Sequence, residues 1–249
     1  MNDQQYILEN TILRGVVGST VHGLAIEGQD DRDEMGIFIE SPTQVCGLIP
    51  FDHFIQRDQP KGVRSQPGDL DLTLYSLRKF CRLAIKGNPS VLLLLYLPKY
   101  EIQQDEIAIE LLKLRDAFIS RHAANSYLGY LRAQKQKLLG ERSPKVSRPE
   151  LIKRYGYDTK FAMHALRLGF QGIQLLGYKH ISVPMPEKTR IFLRSVRMGE
   201  VKLDNVLQAI DKTEATLTRL AEDWKDQEPD LHRISDFMSW AHFKHWSVL

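Results

Sequence analysis

A chain of 249 residues with 43% apolar and 26% charged side chains has the composition of an ordinary globular protein, with room for one large domain or two small ones. Its longest apolar run, Val91 to Leu97, is too short to cross a bilayer, and the opening MNDQQYILEN lacks the basic and apolar regions of a secretion signal, so a cytoplasmic protein without a membrane partner is expected. The net charge of +3 is small but uneven, because residues 132–160 carry nine Lys or Arg against three acids.

The first elements read as short strands. Ile12 to Val17 is β-branched and apolar, and Gly18-Ser19 opens a turn or brief helix that ends near His22. Met35 to Glu40 reads as the next strand. Val45 to Gln56 holds two apolar stretches around Pro50, the pattern of a hairpin. The Gly- and Pro-rich segment 59–68 reads as a loop, and DLDLTL, residues 69–74, alternates with the period of a half-buried strand.

From Ser76 the period changes to that of helices. Leu77, Phe80, Leu83 and Ala84 share one face, with Ser76 as N-cap. Beyond Pro98 helices are expected over 105–117, 119–139, 158–176, 187–198, 203–225 and 231–246. The expected fold is therefore α+β, with a mixed domain over 1–98 and a helical domain over 99–249. Cys46 and Cys81 read as ordinary packing residues in a reducing compartment. His242, His245, Trp240 and Trp246 read as helix packing rather than a metal cluster.

Asp31 and Asp33 are two apart in an extended segment, so they share a face. Paired carboxylates repel unless a cation lies between them, and Mg²⁺ is the natural occupant because it prefers hard oxygen ligands. A third acid on a neighbouring strand would allow two metals at ~3.5–4 Å. Asp71 is the candidate, flanked by Leu70 and Leu72, and Asp69 on the same face is its rival. Gly18 permits close approach of backbone to a phosphate, and Ser19 adds a hydroxyl.

An apolar strand, Gly-Ser, eleven residues, Asp-x-Asp, and a later apolar-Asp-apolar strand resemble the signature of the DNA polymerase β nucleotidyltransferase superfamily. The segments GSTVHG, DDRDEMGIFI, LYSLRKFCRLAIKGNP, YGYDTKFAMHALRLGFQGIQLL and RSVRMGEV narrow the likeness to the RNA-repair-associated polymerase β family. That resemblance implies a polymerase β-type sheet and a helical domain that completes the nucleotide cleft. It implies two Mg²⁺ ions, replaceable by Mn²⁺, and a nucleoside triphosphate donor such as ATP. Asp31, Asp33 and Asp71 would be both catalytic and metal-binding. The acceptor hydroxyl would be an RNA 3′ end, a protein side chain or a small molecule. The alternative is a non-catalytic module that senses nucleotide or RNA on the same fold. Arg32 departs from the superfamily, which often has an apolar residue between the two acids; Glu34 and Glu27 are its candidate partners.

Lys160, His164 and Arg167 recur at helical spacing beside Tyr157. Under the resemblance, this stripe meets the triphosphate, with Lys160 and Arg167 on the leaving pyrophosphate; without it, the stripe is a solvated face. His164 is a phosphate or acceptor contact or a structural histidine, and Asp158 is a helix cap. His22 is a phosphate contact or a local turn residue, and Lys79 is a nucleotide contact or a solvent-facing one.

Overall fold

The structure is a computed structural model, and it describes residues 3–26, 31–60, 63, 66, 68–103, 105–142 and 148–247. Glu27, the second candidate partner of Arg32, lies outside these residues. In chain order the elements are α1 (Asp3–Glu9), β1 (Thr11–Val16), α2 (Gly18–Val21), β2 (Arg32–Phe38), α3 (Pro42–Cys46), β3 (His53–Arg57), β4 (Leu70–Ser76), α4 (Leu77–Ala84), α5 (Pro89–Leu93), β5 (Ile102–Gln103), α6 (Asp105–Lys113), α7 (Arg121–Leu138), α8 (Pro149–Tyr155), α9 (Thr159–Tyr178), α10 (Glu187–Arg197), α11 (Leu203–Asp223) and α12 (Leu231–Trp246).

The strands form one sheet in the order β3-β4-β2-β1-β5. Only β2 and β4 run parallel; every other neighbouring pair is antiparallel. The alternation expected over 69–74 is the period of β4, whose Leu72 and Leu74 are buried with Phe38 and Ile7 beneath Phe51, Phe54 and Leu70. Ser76 ends that strand and caps α4, its hydroxyl accepting from the Lys79 N–H at 3.2 Å.

The hairpin expected over Val45 to Gln56 does not form. Ser41 and Gln44 make a reciprocal capping box that starts α3, Leu48 and Ile49 stand exposed, and only His53–Arg57 becomes a strand. β3 pairs with β4, the next strand, instead of with the segment before it. Cys46 is exposed at the end of α3, so only Cys81 is a packing residue. Burial pushes the Cys81 thiol up.

The chain divides into two compact units, but not near Pro98. The first comprises 1–85, 90–118 and 229–249; the second comprises 86–89 and 119–228. Residues 99–118 and α12 thus belong with the sheet. The reason is burial: Ile107, Leu111 and Phe118, then Ile234, Phe237 and Ala241, are apolar faces that pack within the first unit. The second unit is helical, with α9 packed against α7, α10 and α11. Gly172 allows that close packing, since a Cβ there would lie 2.9 Å from side-chain atoms of Tyr127 and Leu217.

Candidate active site

Asp33 and Asp71 are directly paired across the parallel strands β2 and β4, so both carboxylates leave the same face of the sheet. Asp31 precedes β2, just outside the paired register, and is half-buried. β1 ends beside this row, where the Val17 N–H donates to the Asp33 carbonyl at 2.9 Å. Gly18 follows with φ +70, and a Cβ on it would lie 2.1 Å from Asp33 Oδ2. Any side chain there would force the Asp33 carboxylate to shift and would hold the backbone in a left-handed conformation that glycine adopts freely. Gly18, Asp33 and Asp71, far apart in sequence, are thereby brought together; Ser19, the next residue, is half-buried.

The row has a fourth member that the sequence reading missed. Arg57 of β3 pairs with Asp71 from the other side, and its Nη2 lies 2.9 Å from Asp71 Oδ2. Asp69 is also engaged, accepting from the Gln66 N–H at 2.7 Å. Among the described residues, no three His, Cys, Asp or Glu side chains converge as a metal-binding group. The register pairs Asp33 with Asp71, and the donors of these residues and of Asp31 are the hard oxygens Mg²⁺ prefers. The expected convergence of all three carboxylates is nevertheless not met, because the Asp71 side chain is turned to Arg57. Nothing local in the sequence marks Arg57, since the pairing of β3 with β4 closes over a long loop.

Arg32, the departure between the acids, points away from this row. Its Nε donates to Glu34 Oε1, and Arg14 Nε donates to Glu34 Oε2 from β1. Glu34 is 3% exposed, so these two guanidinium groups supply the charge that its burial requires. The hydrogen bond to Glu34 raises the Arg32 pKa further.

In the second unit, Asp158 caps α9 as expected, accepting from the Lys160 and Phe161 N–H groups at 2.9 and 3.2 Å. Lys160, His164 and Arg167 are half-buried, so the stripe is not a solvated face. Burial is the main cause of a His164 pKa well below the ordinary value, and the positive charges of Arg167, Lys160, Arg148 and Arg197 add to it. The imidazole thus lies within a group of cations that disfavour its protonation. Arg148 also bonds Asp158 Oδ2 at 3.3 Å and stacks on Phe161, and Arg197 donates to Thr159 Oγ1 at 3.4 Å. Arg148 and Arg197 were not legible as members of this cluster, because tertiary packing alone brings them to the start of α9.

The chain matches the model of the RNA repair pathway DNA polymerase beta family over residues 2–234. The chain belongs to this family. A nucleotidyltransferase-like protein of solved structure from Exiguobacterium sibiricum is similar over 88% of this chain and 72% of its own, at 14% identity and a TM-score of 0.33. No curated protein matches the chain at a significant level. Family membership makes the coarse assignment a polymerase β-type nucleotidyltransferase, and the mixed sheet with its helices is the fold the resemblance implied.

Against that family background the remaining candidates sort by burial. His22 is buried, at 1% exposure. Lys79 is paired with Asp52 at 2.8 Å. The C-terminal histidines serve packing as expected. His242 Nε2 lies 3.0 Å from buried Glu40 and its Nδ1 2.7 Å from the Met238 carbonyl, while Trp246 donates to the Glu40 carbonyl at 2.8 Å. No helix among the described residues is long and apolar enough to cross a membrane.

Proposed function

We propose that this member of the family transfers a nucleoside monophosphate from a nucleoside triphosphate, ATP among the candidates, to an acceptor hydroxyl. The observation that carries the reading is the pairing of Asp33 with Asp71 under a left-handed Gly18 whose missing Cβ leaves room for the Asp33 carboxylate. A carboxylate row faced by bare backbone suits a polyphosphate that needs both a cation and close N–H contact. Asp31, Asp33 and Asp71 are the residues that would hold Mg²⁺ or Mn²⁺. That ion, when bound, supplies positive charge at the reacting phosphate.

The chain's own residues then have distinct tasks. Gly18 and Ser19 hold the β- and γ-phosphates through backbone N–H groups and one hydroxyl. Asp71 orients the acceptor hydroxyl and takes its proton as the new O–P bond forms at the α-phosphorus. The bond from that phosphorus to the pyrophosphate oxygen breaks, and pyrophosphate leaves. The family resemblance assigns Lys160 and Arg167 to the charge of the departing pyrophosphate. The same resemblance makes His164 a candidate phosphate or acceptor contact. The acceptor favoured is an RNA 3′ end, given the family and the basic stretch 132–160; a protein side chain and a small molecule remain in the test.

The test is incubation with each α-labelled nucleoside triphosphate, with Mg²⁺ or Mn²⁺, and RNA, protein and small-molecule acceptors. Label in the RNA, with equal release of pyrophosphate, supports the reading; transfer to another acceptor keeps the chemistry and replaces the acceptor. The second reading, a nucleotide-sensing module, is favoured by the Arg57–Asp71 ion pair, because a guanidinium neutralises the third carboxylate. Tight nucleotide binding without transfer to any acceptor would select it.

A further inference from the structure

We infer that Arg57 is a latch on the acidic row: it holds Asp71 away from Asp33 and must release it before a divalent cation can engage both carboxylates. The inference rests on the metal-dependent reading above and accounts for the absence of a converged three-carboxylate group.

The geometry is a line across three strands. Asp33 on β2, Asp71 on β4 and Arg57 on β3 occupy paired positions, so all three side chains rise from the same face. Asp71 stands in the middle, with a carboxylate on one side and a guanidinium on the other. Between these it is bound to the guanidinium, at 2.9 Å. That choice is dictated by charge, since two neighbouring carboxylates repel while Arg and Asp attract.

The latch can open without unfolding the edge of the sheet. The backbone of β3 is fixed at this end, because the Asp58 N–H donates to the Leu70 carbonyl at 3.2 Å and Asp58 Oδ2 accepts from the Leu70 N–H at 2.8 Å. Only side-chain rotations are needed to part Arg57 from Asp71. Both side chains are partly exposed, 36% for Arg57 and 26% for Asp71. A pair so exposed is screened and weak, which suits a contact that a divalent ion displaces. Arg57 acts through Asp71, so it is a positioning residue. It sets how strongly the cation must compete for the third carboxylate.

The test is Mn²⁺ binding to the full chain, followed by electron paramagnetic resonance and by calorimetry, with no turnover required. Arg57→Met keeps the aliphatic stem and removes the charge, and should tighten Mn²⁺ binding about three- to tenfold. Arg57→Lys, a point charge lacking the planar fork, should fall between Met and wild type. In an Asp71→Asn background, Arg57→Met should change Mn²⁺ affinity less than about twofold, because the latch then has nothing to hold. Unchanged or weaker Mn²⁺ binding in Arg57→Met would overturn the latch. So would tightening that persists undiminished with Asp71→Asn, which would mark a general charge effect. Asp33→Asn separates the two claims. If it leaves Mn²⁺ affinity untouched, the acidic row is not a metal site and the parent reading falls. If it abolishes binding while Arg57→Met is silent, only the latch falls. A thermal melt of each variant guards against loss of fold, and a misfolded Arg57→Met is replaced by Arg57→Gln in the same titration.

Discussion

Asp33 and Glu34 are neighbours on one strand, yet they face opposite ways and meet opposite treatment. Glu34 is buried, and Arg14 and Arg32 each bond one of its oxygens. Asp33 is half-buried on the other face, in line with a second carboxylate and against a glycine that leaves it room. A carboxylate gripped by the protein's own cations is part of the architecture. One set beside another carboxylate, with bare backbone above it, is suited to a ligand that brings its own charge. The two faces of β2 thus set one acid among the protein's own cations and the other beside Asp71 and Gly18, although the sequence -Asp-Glu- offers no distinction between them.

Exchange at these two positions should break the comparison most sharply. Asp33→Asn should lower nucleotidyl transfer about 10³-fold while barely moving the melting temperature. Glu34→Gln should do the reverse, costing about 2–3 kcal/mol of stability through two buried guanidinium bonds while the residual folded protein stays active. Steady-state kinetics with urea unfolding on both variants checks the crossing. Equal loss of stability in both would erase the distinction between the faces.

The cation cluster of the second unit comes next. Lys160→Met with Arg167→Met keeps the aliphatic stems and should depress transfer about 10²-fold, with the loss in kcat as well as KM. The same double variant should raise the His164 pKa, because two of the charges that lower it are gone; histidine NMR titration reads this directly. Full activity with the shifted histidine would show the cluster to be structural.

Gly18→Ala carries a smaller effect on the same face. A Cβ 2.1 Å from Asp33 Oδ2, on a residue with φ +70, should cost about 1–2 kcal/mol of stability and about tenfold in nucleotide affinity. Undiminished affinity by calorimetry would make the turn an ordinary one.

Much of this was legible in the sequence. The alternation of β4, the Ser76 and Asp158 caps and the long helices follow from local period and capping, which a short window contains. The Asp pair and Gly18 were legible because their roles depend on positions near one another in the chain. What was hidden depends on distant partners. Arg57 reaches Asp71 only through the register in which β3 pairs with β4 across the intervening loop, and α12 returns to the first unit only because its apolar face is buried there. Glu40 is the clearest case: its partner His242 is 202 residues away.

That buried pair provides the smallest expected effect and a pH sign. Burial alone would raise the Glu40 pKa, but the hydrogen bond from His242, with further help from its own backbone, the His242 charge and Ser76, leaves it lowered. A lowered carboxylate pKa contributes stability that is present above the unfolded value and is lost as pH falls through the folded one. Resistance to urea should therefore weaken on acidification below about pH 4.5, the ordinary glutamate range. Glu40→Gln should cost about 1–2 kcal/mol at pH 7 and flatten that acid limb. An acid limb as steep in the variant as in wild type would assign the loss to other groups.

The central claim, that the Asp33 face rather than the Glu34 face is the reactive one, is tested most directly by anomalous diffraction from a crystal soaked with Mn²⁺ and a non-hydrolysable nucleoside triphosphate. The account predicts a manganese peak in contact with Asp33, within reach of Asp31 and Asp71, and phosphate density against the backbone of Gly18 and Ser19. A manganese peak on the Glu34 side of the strand, or nucleotide bound elsewhere with the Asp33 face bare, would contradict it.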